Sequence, residues 1–247
     1  MKKTIARMLF LAGSFGAYAY GSQLILNGGF ETGTLADWSI ATESGSEAGS
    51  GFFVTDLTTT PLTGLSTVGA ETGSYYAVSD STGSAASVLY EGFTVPVGAG
   101  SIVLSYGLFV NSGGSGTPTP AEIPTTPGLD FNTIPSQFGI ISLISGSTNL
   151  FSTTTGDLMN FYEGVGRADN PNPYTNYSYN ITSLVSGGGT YYVRIGEVNN
   201  VDTLNLGVDN VSVVYTPTSA PEPGSAMPTL GGFVGIAILL WRRQAKA

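Results

Sequence analysis

The chain contains no cysteine and no histidine. The first absence excludes disulfides, thiol nucleophiles and zinc–thiolate centres. The second excludes a Ser-His-Asp triad and any metal site built on imidazole. Charge is scarce as well, at 10% of residues, and positive charge is concentrated at the ends. Lys2, Lys3, Arg7, Arg242, Arg243 and Lys246 leave only Arg167 and Arg194 between residues 24 and 220. That stretch has no lysine and holds 16 of the 17 acids, for a net charge of −14. Such a surface repels nucleic acid and anionic lipid. It suits a cation-rich setting, a neutral polysaccharide, or plain solubility outside a cell. The catalytic chemistry left open is mainly paired carboxylates or a metal held by oxygen ligands.

What is abundant is glycine, at 35 of 247 residues, together with serine, threonine, valine, isoleucine and tyrosine. Helix formers are few, and this composition favours strands joined by turns. A hydrophobic fraction of 41% argues against disorder throughout. Strand-length apolar or alternating segments fall at residues 24–26, 52–55, 75–79, 88–95, 102–110, 138–144, 177–181, 191–198 and 206–215. None carries a sustained helical period. Glycine pairs and triplets at 28–29, 113–114 and 187–189 punctuate them. Many short strands without helices predict an all-β fold, a single jelly-roll-like β-sandwich over residues 20–219. Residues 111–127, with prolines at 118, 120, 124 and 127, predict a long exposed loop inside that domain.

The ends are of a different kind. A basic start, an apolar run from Met8 and the Ala17-Tyr18-Ala19 cleavage pattern predict a secretory signal peptide over residues 1–19. Export machinery and signal peptidase are then partners. Residues 224–241 carry no charge and precede Arg242, Arg243 and Lys246. A transmembrane helix over about 225–241 is the expectation, with the basic end cytoplasmic and the body outside. The tail SAPEPGSAMPTLGGFVGIAILLWRRQ resembles the PEP-CTERM sorting signal: Pro221-Glu222-Pro223, a hydrophobic helix, then Arg242 and Arg243. That resemblance implies an exosortase-type processing enzyme acting on residues 220–247, in a bacterium that makes exopolysaccharide. It departs from the pattern in its short hydrophobic run, interrupted by Pro228, and in having only two adjacent arginines.

Two further blocks resemble galactose-binding-like jelly rolls, including carbohydrate-binding modules: NGGFETGTLADW at residues 27–38 and GVDNVSVV at 207–214. LDFNTIPSQ at 129–137 and the run from Tyr177 through GGGTYYVRIGEVNN, ending at 200, resemble blocks common in PEP-CTERM proteins. The jelly-roll resemblance implies a structural calcium ion held by Glu31 and Asp209, with carbonyls of the turn at Asn27 to Gly29 as further ligands. Strand parity places Asp209 on the face of Val211, Val213 and Tyr215, where a carboxylate needs hydrogen bonds or a metal. The alternative is that Glu31 and Asp209 cap turns by accepting backbone N–H groups.

Sugar binding requires aromatic faces in the open. Tyr192 and Arg194 share the face opposite Val193 and Ile195, which makes them candidate ligand-binding residues. In the alternative, Tyr192 covers its neighbours and Arg194 pairs with an acid. Trp38 is expected in the core. No pair of acids stands in a motif that singles it out for glycoside hydrolysis, so no catalytic residue is named. The function these features imply is that of an exported, non-catalytic protein of the cell surface or extracellular matrix, associated with exopolysaccharide. A lectin-like sugar-binding module and a carboxylate-dependent hydrolase are the alternatives.

Overall fold

The computed structural model describes residues 21–112, 128–132, 136–165 and 171–218. The signal peptide, the sorting motif with its helix, Arg167, and all but the first two residues of the expected loop at 111–127 lie outside the described residues. Among the described residues no helix is long and apolar enough to cross a membrane.

Residues 21–216 form one compact unit built almost wholly of antiparallel strands. In chain order these are β1 (Ser22–Gln23), β2 (Ser39–Thr42), β3 (Gly51–Thr55), β4 (Tyr76–Asp80), β5 (Ala85–Val95) and β6 (Ser101–Ser112). They continue with β7 (Gln137–Ile144), β8 (Asp157–Gly164), β9 (Thr175–Asn180), the single turn α1 (Thr182–Val185), β10 (Gly189–Asn199) and β11 (Leu204–Thr216). One sheet runs β3-β4-β11-β6-β9, with β1 added on β11; the other runs β2-β5-β10-β7-β8. From β4 to β7 each strand crosses to the opposite sheet, so sequence neighbours face one another across the core. Two antiparallel sheets stacked this way make a β-sandwich.

Alternation along the long strands fills the space between the sheets. Leu89 and Phe93 of β5, Ile141 and Leu143 of β7, and Val193 and Ile195 of β10 meet Leu104, Tyr106 and Leu108 of β6 and Leu206 and Val208 of β11. Trp38 is buried in the same cluster and packs on Phe30 at a centroid distance of 5.5 Å. The opening and closing blocks touch directly: Val211 N donates to Gly28 O at 2.9 Å. A β-carbon on Gly28 would stand 1.8 Å from Val211 O, so only glycine permits this approach.

Three expectations are corrected. The chain has strands at β2 and β8 that no alternation announces. β8 reads DLMNFYEG, with apolar residues in adjacent pairs, and its pairing with β7 shifts register twice. Each shift puts neighbours on the same side and erases the period of two. Next, β6 extends through Asn111 and Ser112, both buried, so the expected loop begins later than residue 111. Finally, Asp209 does not share a face with Val211 and Val213. Asn210 takes a left-handed conformation with φ of 54°, and the pairing of β11 with β6 slips between Asp209 and Ser212. Leu206 and Val208 face inward before the bulge and Val211 and Val213 after it, leaving Asp209 on the outer face.

Candidate functional site

The outer face of the β5-β10-β7 sheet is covered at one end and open at the other. At the covered end Ala86, Val88, Phe138, Ile140 and Val198 pack under Leu129 and Phe131. Leu129 fits there because Gly196 has no side chain: a β-carbon would lie 2.6 Å from Leu129 Cδ1. The block LDFNTIPSQ thus acts as a cover over the sheet.

At the open end a second glycine admits an aromatic ring. Tyr192 of β10 is paired with Gly92 of β5. Its ring lies over that glycine so closely that a β-carbon would stand 2.8 Å from Cε1 and 3.2 Å from Cδ1. Tyr90, diagonal to it, leans against it at 6.1 Å between centroids and 58° between planes. Both rings are half-buried, whereas Gly92, Thr94 and Thr190 beside them are exposed. Thr94 Oγ1 and Thr190 Oγ1 are 3.3 Å apart, one row further along the same face. The result is an aromatic floor bordered by hydroxyls. A pyranose can lay its C–H face on such a ring and hydrogen-bond its hydroxyls at the edge.

Arg194 is not exposed, contrary to the sequence expectation. It is fully buried beneath this surface. Its Nε donates to Ser142 Oγ at 2.8 Å, its Nη1 to Leu150 O at 3.0 Å and to Ser152 O, and its Nη2 to Asp157 Oδ2 at 3.0 Å. The alternative reading, an ion pair with an acid, is the one observed. Burial pulls the guanidinium below its ordinary pKa and Asp157 opposes that shift; burial likewise pushes Asp157 up against the pull of Arg194. Arg194 therefore ties β10 to the segment before β8 and does not reach a ligand.

Glu31 and Asp209, the expected calcium ligands, grip one turn from two sides. Asp209 Oδ2 accepts from Glu71 N at 2.9 Å and Thr72 N at 3.1 Å, and its Oδ1 accepts from Asn210 N at 2.7 Å. Glu31 Oε1 accepts from Ser74 N at 2.9 Å and Tyr75 N at 3.0 Å. Asp80 does the same earlier in the connection from β3 to β4, its Oδ2 accepting from Leu62 N at 2.6 Å and Thr63 N at 2.9 Å. Two carbonyls of the Asn27 to Gly29 turn are engaged as well, Asn27 O by Phe30 N and Gly28 O by Val211 N. Convergent N–H donors engage both carboxylates, as the turn-capping alternative describes. No group of three acids positioned to hold a metal occurs among the described residues.

Two carboxyls have strongly raised pKa values, and both lie inside the sandwich. Burial pushes Glu91 up to about 7, with its Oε1 held by Leu26 N at 2.7 Å. Burial pushes Glu197 up to about 8, opposed by a 2.6 Å hydrogen bond from Ser79 Oγ. Glu91 sits on β5 and Glu197 on β10, both buried and facing the core. A hydrolase needs its acid in contact with substrate; these two are enclosed.

Sequence reasoning missed Tyr90 and Gly92 as parts of the surface. Tyr90 shares the parity of Val88, which marks its face, but nothing local announces that Gly92 will come to lie under a ring from another strand.

Neither a family model nor a curated protein matches the sequence. Solved structures that align with this chain include the Stig cyclase Fisc from Fischerella sp. TAU, at 14% identity and a TM-score of 0.48, covering 81% of this chain and 100% of that one. TmCBM61 in complex with β-1,4-galactotriose aligns at 12% and 0.44, covering 78% and 98%. A family 16 carbohydrate-binding module aligns at 10% and 0.39, covering 77% and 98%. Identities and scores this low leave what those proteins bind or catalyse with them.

Proposed function

We propose that this chain is an exported, non-catalytic protein of the cell surface or extracellular matrix whose jelly-roll body associates with polysaccharide. The observation that carries the reading is the Tyr192 ring laid over Gly92, with Tyr90 beside it and threonine hydroxyls at its border. A ring supported this way keeps one face toward solvent at little entropic cost, since its position is set by the sheet. Residues 24–220 carry 16 acids against two arginines, and Arg194, the only cation among the described residues, is buried, which disfavours an acidic glycan. Export and retention at the envelope rest on the signal peptide over residues 1–19 and the PEP-CTERM-like tail with Pro221-Glu222-Pro223, Arg242 and Arg243. An exosortase-type enzyme is the processing partner this tail implies.

Affinity electrophoresis of the purified chain through gels containing dextran, xylan or alginate tests the reading. Retardation in a neutral gel, and none in alginate, is the expected result. Unretarded migration of folded protein in every gel contradicts it.

A further inference from the structure

The aromatic surface at Tyr192 is bent. The Tyr192 ring lies over Gly92, and the Tyr90 ring is inclined to it by 58° with centroids 6.1 Å apart, so the two make a floor and a sloping wall. Both are set by packing. Tyr192 fills the space left by the glycine, and Tyr90 leans on the apolar cluster that closes the covered end of the face. Strand pairing extends the surface in both directions. Ser39 of β2 is paired with Tyr90, which puts this exposed serine on the same face, on the far side of the wall. Thr94 and Thr190, paired with each other, lie one row beyond Tyr192. A diagonal path therefore crosses three strands, from threonine hydroxyls over two rings to a serine hydroxyl.

An inclined pair of rings discriminates among glycans by the turn between successive sugars. In the flat ribbons of cellulose and mannan, successive pyranose rings keep one common plane. A ribbon laid on Tyr192 meets Tyr90 with its edge and stacks on one ring only. In the twisted chain of xylan and the coil of an α-1,4-glucan, each sugar is turned from the one before. Adjacent sugars of such a chain present a C–H face to each tyrosine. Because the packing already holds both rings at their angle, little is lost in ordering them when such a chain binds. The selectivity is the second stacking contact, which a turned chain makes and a ribbon forfeits.

We propose that the outer-face site selects neutral glycans whose successive rings are turned, seating one sugar on Tyr192 and the next on Tyr90, with Ser39 as a further contact residue for the sugar beyond. The inference rests on the polysaccharide reading above and narrows its ligand from any neutral glycan to the twisted and coiled ones.

Titration calorimetry of the full chain with xylohexaose and maltohexaose, beside its depletion from solution by microcrystalline cellulose and crystalline mannan, tests the selection. Binding to at least one hexaose, with no depletion by either ribbon, is the expected result. Tyr90→Leu keeps an apolar side chain against the covered end and removes the ring face. It is expected to weaken that hexaose at least about five-fold at matched melting temperature. Ser39→Ala, at an exposed position where folding is not at stake, is expected to weaken it by about two- to ten-fold, the worth of one hydrogen bond. Depletion by cellulose or mannan that Tyr192→Ala abolishes overturns the selection and leaves the polysaccharide reading standing. A hexaose affinity unchanged in Tyr90→Leu does the same, and one unchanged in Ser39→Ala removes Ser39 from the site. No neutral glycan bound by folded wild-type protein overturns both.

Discussion

Tyr192 occupies the space that a side chain at Gly92 would need: a β-carbon there would come within 2.8 Å of the ring. The platform is therefore a property of two strands together. Gly92→Val lifts the ring off β5 and tilts its exposed face. Because residue 92 is exposed, stability is expected to change by less than about 1 kcal/mol, while affinity for a neutral polysaccharide falls. Thermal melts paired with affinity electrophoresis separate the two effects.

Arg194 has the opposite profile. Removing it leaves Asp157 buried beside Ser142 and two carbonyls with no cation to balance it. Arg194→Ala is expected to cost about 3–5 kcal/mol, read as a shift in the urea midpoint. A loss below about 1 kcal/mol would mean that the carboxylate finds water instead.

The grip of Asp209 on Glu71 N and Thr72 N leads to a prediction about calcium. Asp209→Ala removes a charged acceptor from backbone donors, at a cost of about 1.5–3 kcal/mol. The loss of thermal stability is expected to be equal in calcium and in chelator. A larger loss in calcium would show that an ion shares the site.

The enclosed carboxyls set the pH dependence. Glu91 and Glu197 have folded values of about 7 and about 8, above the ordinary 4.5. The folded state therefore holds their protons more tightly than the unfolded chain does. Stability from this source is fully present below pH 4.5 and is lost as pH rises through about 7 and then about 8. Asp157 and Asp209, also raised by burial, act in the same direction. Melting temperature is expected to be higher at pH 5 than at pH 9, and Glu197→Gln to flatten that slope. A melting temperature that rises toward pH 9 in the wild type would contradict the assignment.

Much of the fold was legible in the chain because the long inner strands alternate. The periods along β5, β6, β7 and β10 follow from residues facing one core, and Trp38 falls in that core as expected. β8 was not legible, because its two register shifts break the period that would reveal it. The face of Asp209 was misassigned for the same physical reason: one left-handed residue, Asn210, reverses the parity of everything after it. Arg194 was misread for another reason. Its parity opposite Val193 was right, but the outer face at that point is closed by Leu150 and Ser152, which no local pattern connects to β10. Tyr192 could be proposed from its parity, whereas the glycine that seats it belongs to the partner strand, and pairing is a property of topology.

The most direct test of the central claim is the affinity of Tyr192→Ala for whichever neutral polysaccharide retards the wild-type chain, measured at matched folding. A ring that supplies the contact face is expected to contribute more than about 1 kcal/mol, so retardation should weaken at least about five-fold with the melting temperature nearly unchanged. Retardation equal to that of the wild type would show that the polysaccharide contact lies elsewhere on the molecule.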